Sequence, residues 1–333
     1  MGMSNGADGP RLLDVRGLST HFPSDRGIVR AVDDVSFWIR PGEAVGLVGE
    51  SGSGKSTVLR SLLGLIKPPG RVVSGEVIFR DRDLLVLPED EMRRVRGGQI
   101  SLIFQDPVNA FNPSLTIGDQ LRRVLRLHRR EQPSGGYDQE IGRMLARVGV
   151  DASGGSKLNQ YAFNFSQGQL QRIMIAAACL GGEPSLLLAD EPTTSLDVTI
   201  EAQVLQLLRD LRRELGLSLV LVTHNLALVA ELCDRVLVMY AGRLVEDGDV
   251  YSVFENPRHP YTRQLLRSLP RFPAPEERPQ PIPGSVPDLA NPPAGCPFAP
   301  RCEQFIGSIC HTVVPHLVPA GAADHRAACH LFV

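Results

Sequence analysis

Gly49-Glu50-Ser51-Gly52-Ser53-Gly54-Lys55-Ser56-Thr57 fits the pattern G-x-x-x-x-G-K-[ST]. Ala44-Val45-Gly46-Leu47-Val48 precedes it as an apolar run that reads as a buried strand. Val58, Leu59, Leu62, Leu63 and Ile66 follow it at helical spacing. A glycine-rich loop between a strand and a helix is a phosphate cradle. Its glycines let successive N–H groups curl inward as an anion nest, and the positive end of the following helix faces the same point. In such a loop Lys55 reaches the β- and γ-phosphates of a nucleotide, and the Ser56 hydroxyl ligates Mg2+.

Working outward, Ser185-Leu186-Leu187-Leu188-Ala189 is an apolar strand that ends on Asp190-Glu191-Pro192. Beside a phosphate loop, Asp190 is suited to hold Mg2+ and Glu191 to orient the attacking water or take its proton. Ile100–Phe104 reads as a strand ending on Gln105-Asp106-Pro107, and Leu219–Thr223 as one with His224 at its edge. Placed there, His224 could donate to a γ-phosphate, whereas a lone histidine is more often structural. Polar candidates gathered at the C-terminal edges of successive strands predict a parallel α/β sheet.

The remaining stretches fit round this core. Leu12–Phe22 and Val29–Ile39 read as strands about a turn at Ser24–Gly27; the second could be one strand or two. Gly75–Phe79 reads as another. Phe22 could stack on a base or simply pack in the core. Asp119–Val148 is helical in pattern with a break at Gln132–Gly136, and reads as a helical insertion. Phe165-Ser166-Gln167-Gly168-Gln169 precedes an apolar helix at Ile173–Leu180, so that Ser166 could cap it and present free N–H groups. Glu201–Leu215 is amphipathic, and Val236–Tyr240 with Arg243–Glu246 reads as a hairpin about Ala241-Gly242.

The 333 residues carry a net charge of -2 and 43% hydrophobic residues, ample for a sizeable core, with no basic excess to favour nucleic acid. No run of about 20 apolar residues is present to span a membrane. The short polar stretch Met1–Pro10 lacks the apolar core of a signal peptide. It reads as a flexible tail on a cytosolic protein, in which the six cysteines are not expected to form disulfides. The expected organisation is a tail at 1–10, a nucleotide-binding domain at 11–270 with a helical subdomain near 106–183, a proline-rich linker at 271–293 and an extension at 294–333. Four cysteines crowd that extension, spaced Cys296-x5-Cys302-x7-Cys310-x18-Cys329. Four thiolates suit tetrahedral zinc or an iron–sulfur cluster, but the close C-x2–4-C pairs of zinc ribbons are absent. His311, His316, His325 and His330 lie nearby as rival ligands, while Cys179 and Cys233 read as packing residues.

Taken together, these stretches resemble the ATP-binding subunit of an ABC transporter over nearly the whole chain. The resemblance runs in order through the phosphate loop, the Q-loop at Gln105, the signature at Phe165–Gln169, the magnesium strand at Leu186–Glu191, the D-loop at Ser195-Leu196-Asp197 and the switch His224. It implies a RecA-like parallel core with an antiparallel β subdomain and a helical subdomain. Phe22 would stack on adenine; Gly49, Ser51, Gly52, Ser53, Gly54, Lys55, Ser56, Thr57 and Gln105 would bind ATP; Ser56, Gln105 and Asp190 would hold Mg2+. Glu191, His224 and Lys55 would be catalytic, and Ser166, Gly168 and Gln169 would serve the ATP of a second, head-to-tail cassette, with Asp197 in the D-loop.

Phe104-Gln105-Asp106-Pro107 with Asn112-Pro113, and His259-Pro260-Tyr261-Thr262, resemble the dipeptide/oligopeptide and nickel import branch. The stretch Cys296-Pro297-Phe298-Ala299-Pro300-Arg301-Cys302 resembles the peptide importers' C-terminal extension, and implies a four-iron–four-sulfur cluster on Cys296, Cys302, Cys310 and Cys329 with a structural role. The implied partners are a second ATPase subunit, two transmembrane permeases and a periplasmic or lipid-anchored peptide-binding protein, at the cytoplasmic face of the membrane. A nickel importer, a DNA-repair-type ATPase and a translation-associated protein are the alternatives. The last two fit poorly with the lack of sustained heptads or a basic stripe and with a single phosphate loop. One departure stands out: the usual S-G-G-Q signature is here Ser166-Gln167-Gly168-Gln169. A glutamine replaces a glycine where backbone approaches phosphate, so in a heterodimer the opposite site is expected to turn over slowly, and the site using Lys55 and Glu191 to hydrolyse well.

Overall fold

The computed structural model describes residues 9–128, 135–151, 157–182, 184–194, 196–268, 280–321 and 324–333. Most of the N-terminal tail, residues 132–134 of the helical break, Ser195 of the D-loop and residues 271–279 of the proline-rich stretch lie outside them. The chain divides into two compact units, one running up to Val86 and from Thr223 onward, the other Leu87–Val222. The first opens with β1 (Leu13–Ser24), β2 (Gly27–Ile39), β3 (Ala44–Val48), α1 (Lys55–Leu62), β4 (Arg71–Phe79) and β5 (Arg82–Asp83). The second holds α2 (Glu89–Val95), β6 (Ile100–Ile103), α3 (Pro107–Ala110), α4 (Ile117–His128), α5 (Gly136–Arg147), α6 (Gln167–Leu180), β7 (Leu186–Asp190), α7 (Val198–Leu215) and β8 (Ser218–Val222). The first resumes with α8 (Leu226–Leu232), β9 (Arg235–Tyr240), β10 (Arg243–Asp249), α9 (Val250–Glu255), α10 (Pro260–Arg267), α11 (Ser308–Thr312), β11 (Val318–Pro319) and β12 (Arg326–Ala327).

In the first unit β2, β1, β4 and β5 form an antiparallel sheet in that order. β2 is one strand: Val35, Phe37 and Ile39 are buried while Ser36 is exposed between them, the alternation of a sheet with one covered face. The other sheet of this unit runs β11-β12-β10-β9-β3. β3 and β9 pair in parallel and every residue of both is buried, as befits strands covered on both sides. The β9–β10 turn has φ of 48° at Ala241 and 82° at Gly242, the two left-handed residues that match a hairpin's twist.

The C-terminal segment joins this sheet. β12 pairs antiparallel with β10 at Glu246↔Ala327 and Asp247↔Arg326. Buried Glu246 accepts the N–H groups of Arg258 and His259 at 2.6 and 2.9 Å and lies 2.7 Å from His325 Nε2. Asp247 accepts Nε and Nη2 of Arg235 at 2.6 and 2.8 Å and also pairs with Arg326. Buried carboxylates are tolerable only with such partners, and stripping one away from a buried pair costs about 3–5 kcal/mol.

In the second unit β8, β7 and β6 are parallel neighbours, and every residue of β7 and β8 is buried. α7 turns Val204, Leu207, Leu208 and Leu211 inward at helical spacing, starts on an Asp197 side chain that accepts from Ile200 N–H, and stops at left-handed Gly216. α3, α4, α5 and α6 pack on one another, and Ser101 Oγ, donating to the Ala178 carbonyl at 2.6 Å, ties β6 to α6. α6 begins at Gln167, earlier than its apolar run suggests, because Ser166 caps it.

Candidate active site

The phosphate loop leaves β3 and enters α1 within the first unit. Gly49 and Gly54 have φ of 150° and 102°. A Cβ on Gly49 would lie 2.1 Å from the Met239 carbonyl oxygen, and one on Gly54 would lie 2.0 Å from that of Ala31. Neither position admits a side chain. α1 starts at Gly54 with no side-chain cap, so its N-terminal N–H groups and dipole favour an anion at that end. Lys55 is only 5% exposed. Its Nζ donates to the carbonyls of Gly49 at 2.8 Å and Glu50 at 2.9 Å, and Ser53 Oγ lies at 3.4 Å. Gly242 N–H donates to the Ser53 carbonyl at 3.0 Å, fastening the loop to the β9–β10 turn. Ser51 and Gly52 are exposed, Ser53 is buried, and Ser56 and Thr57 are half-buried on α1. In the same unit Phe22 is half-buried on β1, its ring over Gly70, where a Cβ would meet it at 2.3 Å. His224 is exposed just before α8, whose N-cap is Asn225.

The second unit carries the acids. Asp190 is the buried last residue of β7. Glu191 follows with φ of 46°, a left-handed conformation that costs a non-glycine residue about 1–3 kcal/mol and persists where its surroundings impose it. Those surroundings are visible. Its N–H donates to Val222 at 2.9 Å, and its Oε2 accepts Thr194 Oγ1 at 2.8 Å and Gln105 Nε2 at 3.1 Å. The structure thus joins Gln105, exposed two residues beyond β6, to Glu191. It also adds Thr194, which sequence reasoning passed over; its signal was a hydroxyl three residues beyond the acid.

The signature segment is built differently. Ser166 Oγ accepts Gln169 N–H at 3.3 Å, and Gln169 Oε1 accepts Ser166 N–H at 3.1 Å, a reciprocal capping box. Gln167 is the first residue of α6 and has no positive φ, so the fold itself needs no glycine there. Gly168 lies against α7, where a Cβ would sit 2.9 Å from an Ile200 methyl.

Residues 32–194 match the family model described as ABC transporter, and residues 245–310 match that described as oligopeptide/dipeptide transporter, C-terminal region. The chain is 44% identical over 326 residues to the dipeptide transport ATP-binding protein DppD of Bacillus subtilis, covering 95% of this chain and 96% of that protein. This chain belongs to the ATP-binding proteins of the peptide branch of ABC transporters. It is also 44% identical to the oligopeptide transport ATP-binding protein OppD of Escherichia coli K12, over 91% of this chain and 89% of that one. The dimeric ATP-binding cassette MJ0796, solved in a post-hydrolysis state with ADP and phosphate, superposes with a TM-score of 0.63 at 26% identity, covering 72% of this chain and 98% of that one. The fold is therefore the ABC cassette. No helix among the described residues is long and apolar enough to cross a membrane.

The peptide branch's C-terminal match takes in three of the four tail cysteines and ends at Cys310. None of the four is in a disulfide; Cys296 and Cys310 are buried, and Cys302 and Cys329 half-buried. Each of Cys296, Cys302 and Cys329 feels the charge of other cysteines in the set. Burial first, then those neighbours, pushes Cys296 up to about 11 and raises Cys302 and Cys329. The N–H groups of Phe298, Gln304 and Leu331, each two residues on, hydrogen-bond these three sulfurs and oppose the rise. Among the described residues, no three His, Cys, Asp or Glu are arranged to hold a metal ion, so the expected iron–sulfur cluster finds no support in the geometry.

Proposed function

We propose that this ABC-family chain is the ATP-hydrolysing subunit of an importer of dipeptides or oligopeptides. The observation that carries the reading is the joint presence of a complete phosphate-loop and acid set with a C-terminal region of the peptide-transporter type. Lys55 neutralises the β- and γ-phosphate oxygens within a cradle of backbone N–H groups. Ser56, Asp190 and Gln105 would hold Mg2+, which would supply positive charge to offset that building on the phosphates. Glu191, aligned by Thr194 and Gln105, takes a proton from water as its oxygen bonds to the γ-phosphorus. The bond to the departing ADP oxygen breaks, and ADP and inorganic phosphate result. His224 donates to the γ-phosphate, and Phe22 carries the adenine.

Ser166, Gly168 and Gln169 serve the ATP of a second cassette, and Asp197, whose side chain caps α7, is the D-loop residue. That cassette is a different chain, because Gln167 handicaps the site this signature covers. Two permeases and a peptide-binding protein complete the assembly, with this subunit on the cytoplasmic face of the membrane. The expected boundaries remain 11–270 for the ATPase domain and 294–333 for the extension.

The extension's donor set suits a four-iron–four-sulfur cluster better than zinc. Three of its sulfurs accept backbone N–H groups, as cluster thiolates do, and the set lies within electrostatic reach of one another. Thiols held high by burial need a cationic centre to deprotonate them. Cys296, Cys302, Cys310 and Cys329 would hold the cluster, which would crosslink the extension. Reconstitution in liposomes with permeases and binding protein tests the transport reading. ATP-dependent accumulation of peptide is expected; accumulation of nickel instead would displace it.

A further inference from the structure

Two stretches outside the ATP motifs, His259-Pro260-Tyr261-Thr262 and Cys296–Cys302, converge on one phosphate-loop residue, Glu50. Its N–H donates to Tyr261 Oη at 2.9 Å, and its carbonyl accepts Lys55 Nζ at 2.9 Å. Its carboxylate accepts both arms of the Arg301 guanidinium, Nη1 to Oε2 at 2.8 Å and Nη2 to Oε1 at 3.1 Å. Arg301 spends its other donors on the carbonyls of Pro283 and Ile282, at 2.7 and 3.3 Å, and on Tyr240 Oη at 3.2 Å.

This is a built contact. The Arg301 side chain is 5% exposed. Beneath it Phe298 meets Tyr240 and Tyr261 edge-on, with centroids 5.2 and 5.4 Å apart. Burial opposes the charge on Arg301, but hydrogen bonds to Glu50 and Tyr240 outweigh it and hold the group protonated. A forked guanidinium–carboxylate pair constrains geometry as well as charge. Lys55 and Arg301 therefore grip the same residue, one by its carbonyl and the other by its carboxylate.

We propose that Arg301 is a positioning residue for the phosphate loop: from the C-terminal extension it fixes the Glu50 backbone against which Lys55 rests, and so sets nucleotide affinity. The inference rests on the ATP-binding reading above. It gives the extension a part in the ATP cycle beyond stabilising itself.

The test is equilibrium binding of methylanthraniloyl-ADP to the full chain, with the thermal midpoint read in parallel without nucleotide. Arg301→Gln and Glu50→Gln should each raise Kd about tenfold, as expected for losing one charged hydrogen-bonded pair. The double variant should be no weaker than the weaker single, because both remove the same contact. Arg301→Lys should recover only part of the affinity, since a point charge lacks the fork. Glu50→Gln leaves the extension's sequence intact, so it keeps the test open should Arg301→Gln fail to fold. A wild-type chain that binds no probe contradicts the parent reading. Wild-type binding with both single variants within about twofold of it overturns the inference alone, even where the midpoint falls, because that outcome marks a purely structural pair.

Discussion

The phosphate loop and the signature segment are both glycine-containing turns at a helix start, yet they are held in opposite ways. The phosphate loop is locked from a distance. Two of its glycines abut the carbonyls of Met239 and Ala31, and Glu50 is held by residues 211 and 251 positions away in the chain. The signature is locked locally, by a capping box spanning Ser166 and Gln169. A loop fixed by tertiary contacts cannot exchange its glycines. A loop fixed by a local cap can, which is why Gln167 is compatible with the fold.

The largest effect that sharpens this contrast is on turnover. In the assembled transporter Glu191→Gln should cut ATP hydrolysis by about 10³-fold if, as proposed, the other site turns over slowly behind Gln167. Survival of most activity in a steady-state phosphate-release assay would reverse the assignment of the two sites. Next comes Gly54→Ala, which forces a Cβ to within 2.0 Å of a backbone oxygen at a left-handed residue. It should cost about 3 kcal/mol or more in chemical denaturation. Gly168→Ala meets the Cγ2 methyl of Ile200 at 2.9 Å and no backbone atom, so it should cost less, about 1–2 kcal/mol. Equal costs would break the comparison.

Acid should separate the two regions next. His259, 1% exposed, accepts the Tyr261 N–H through Nδ1 at 3.0 Å and so helps aim Tyr261 at Glu50. Burial, opposed by the charge of Glu246, pushes its pKa down from 6.5 to about 4. The folded imidazole is neutral while the unfolded one takes up a proton below about 6.5. Its contribution to stability is therefore complete above that pH and lost as pH falls toward 4, by up to about 3 kcal/mol. His259→Asn keeps a capping oxygen without the titration. Its denaturation free energy should fall less steeply between pH 7 and 4 than that of the wild type; parallel profiles would remove His259 from the account. The smallest effect is Gln167→Gly, which should change the stability of the isolated chain by no more than about 1 kcal/mol, while hydrolysis at the second cassette's site rises in the assembly.

What could be read from the sequence follows the same division. β3, the phosphate loop, α1 and the strand ending on Asp190-Glu191 are contiguous and periodic, so their residues declare themselves. The Tyr261 and Arg301 stretches stood out only as marks of a branch, because their meeting at Glu50 depends on contacts across more than 200 positions. β11 and β12 have two residues each, too few for alternation to show. The stretch 271–293 reads as an extended linker; in its described part, 280–293, the Leu289 carbonyl accepts Arg30 N–H at 3.0 Å and the Pro283 carbonyl accepts Arg301 Nε at 2.7 Å. Backbone acceptors of that kind leave no trace in side-chain pattern. Thr194 was missed for a simpler reason: a threonine in a turn has many ordinary uses.

The most direct measurement is ATP hydrolysis by the assembled transporter carrying Lys55→Ala. Loss of the cation that Gly49 and Glu50 hold at the phosphate cradle should lower the rate by at least about 100-fold. A rate within about twofold of wild type would contradict the account at its centre.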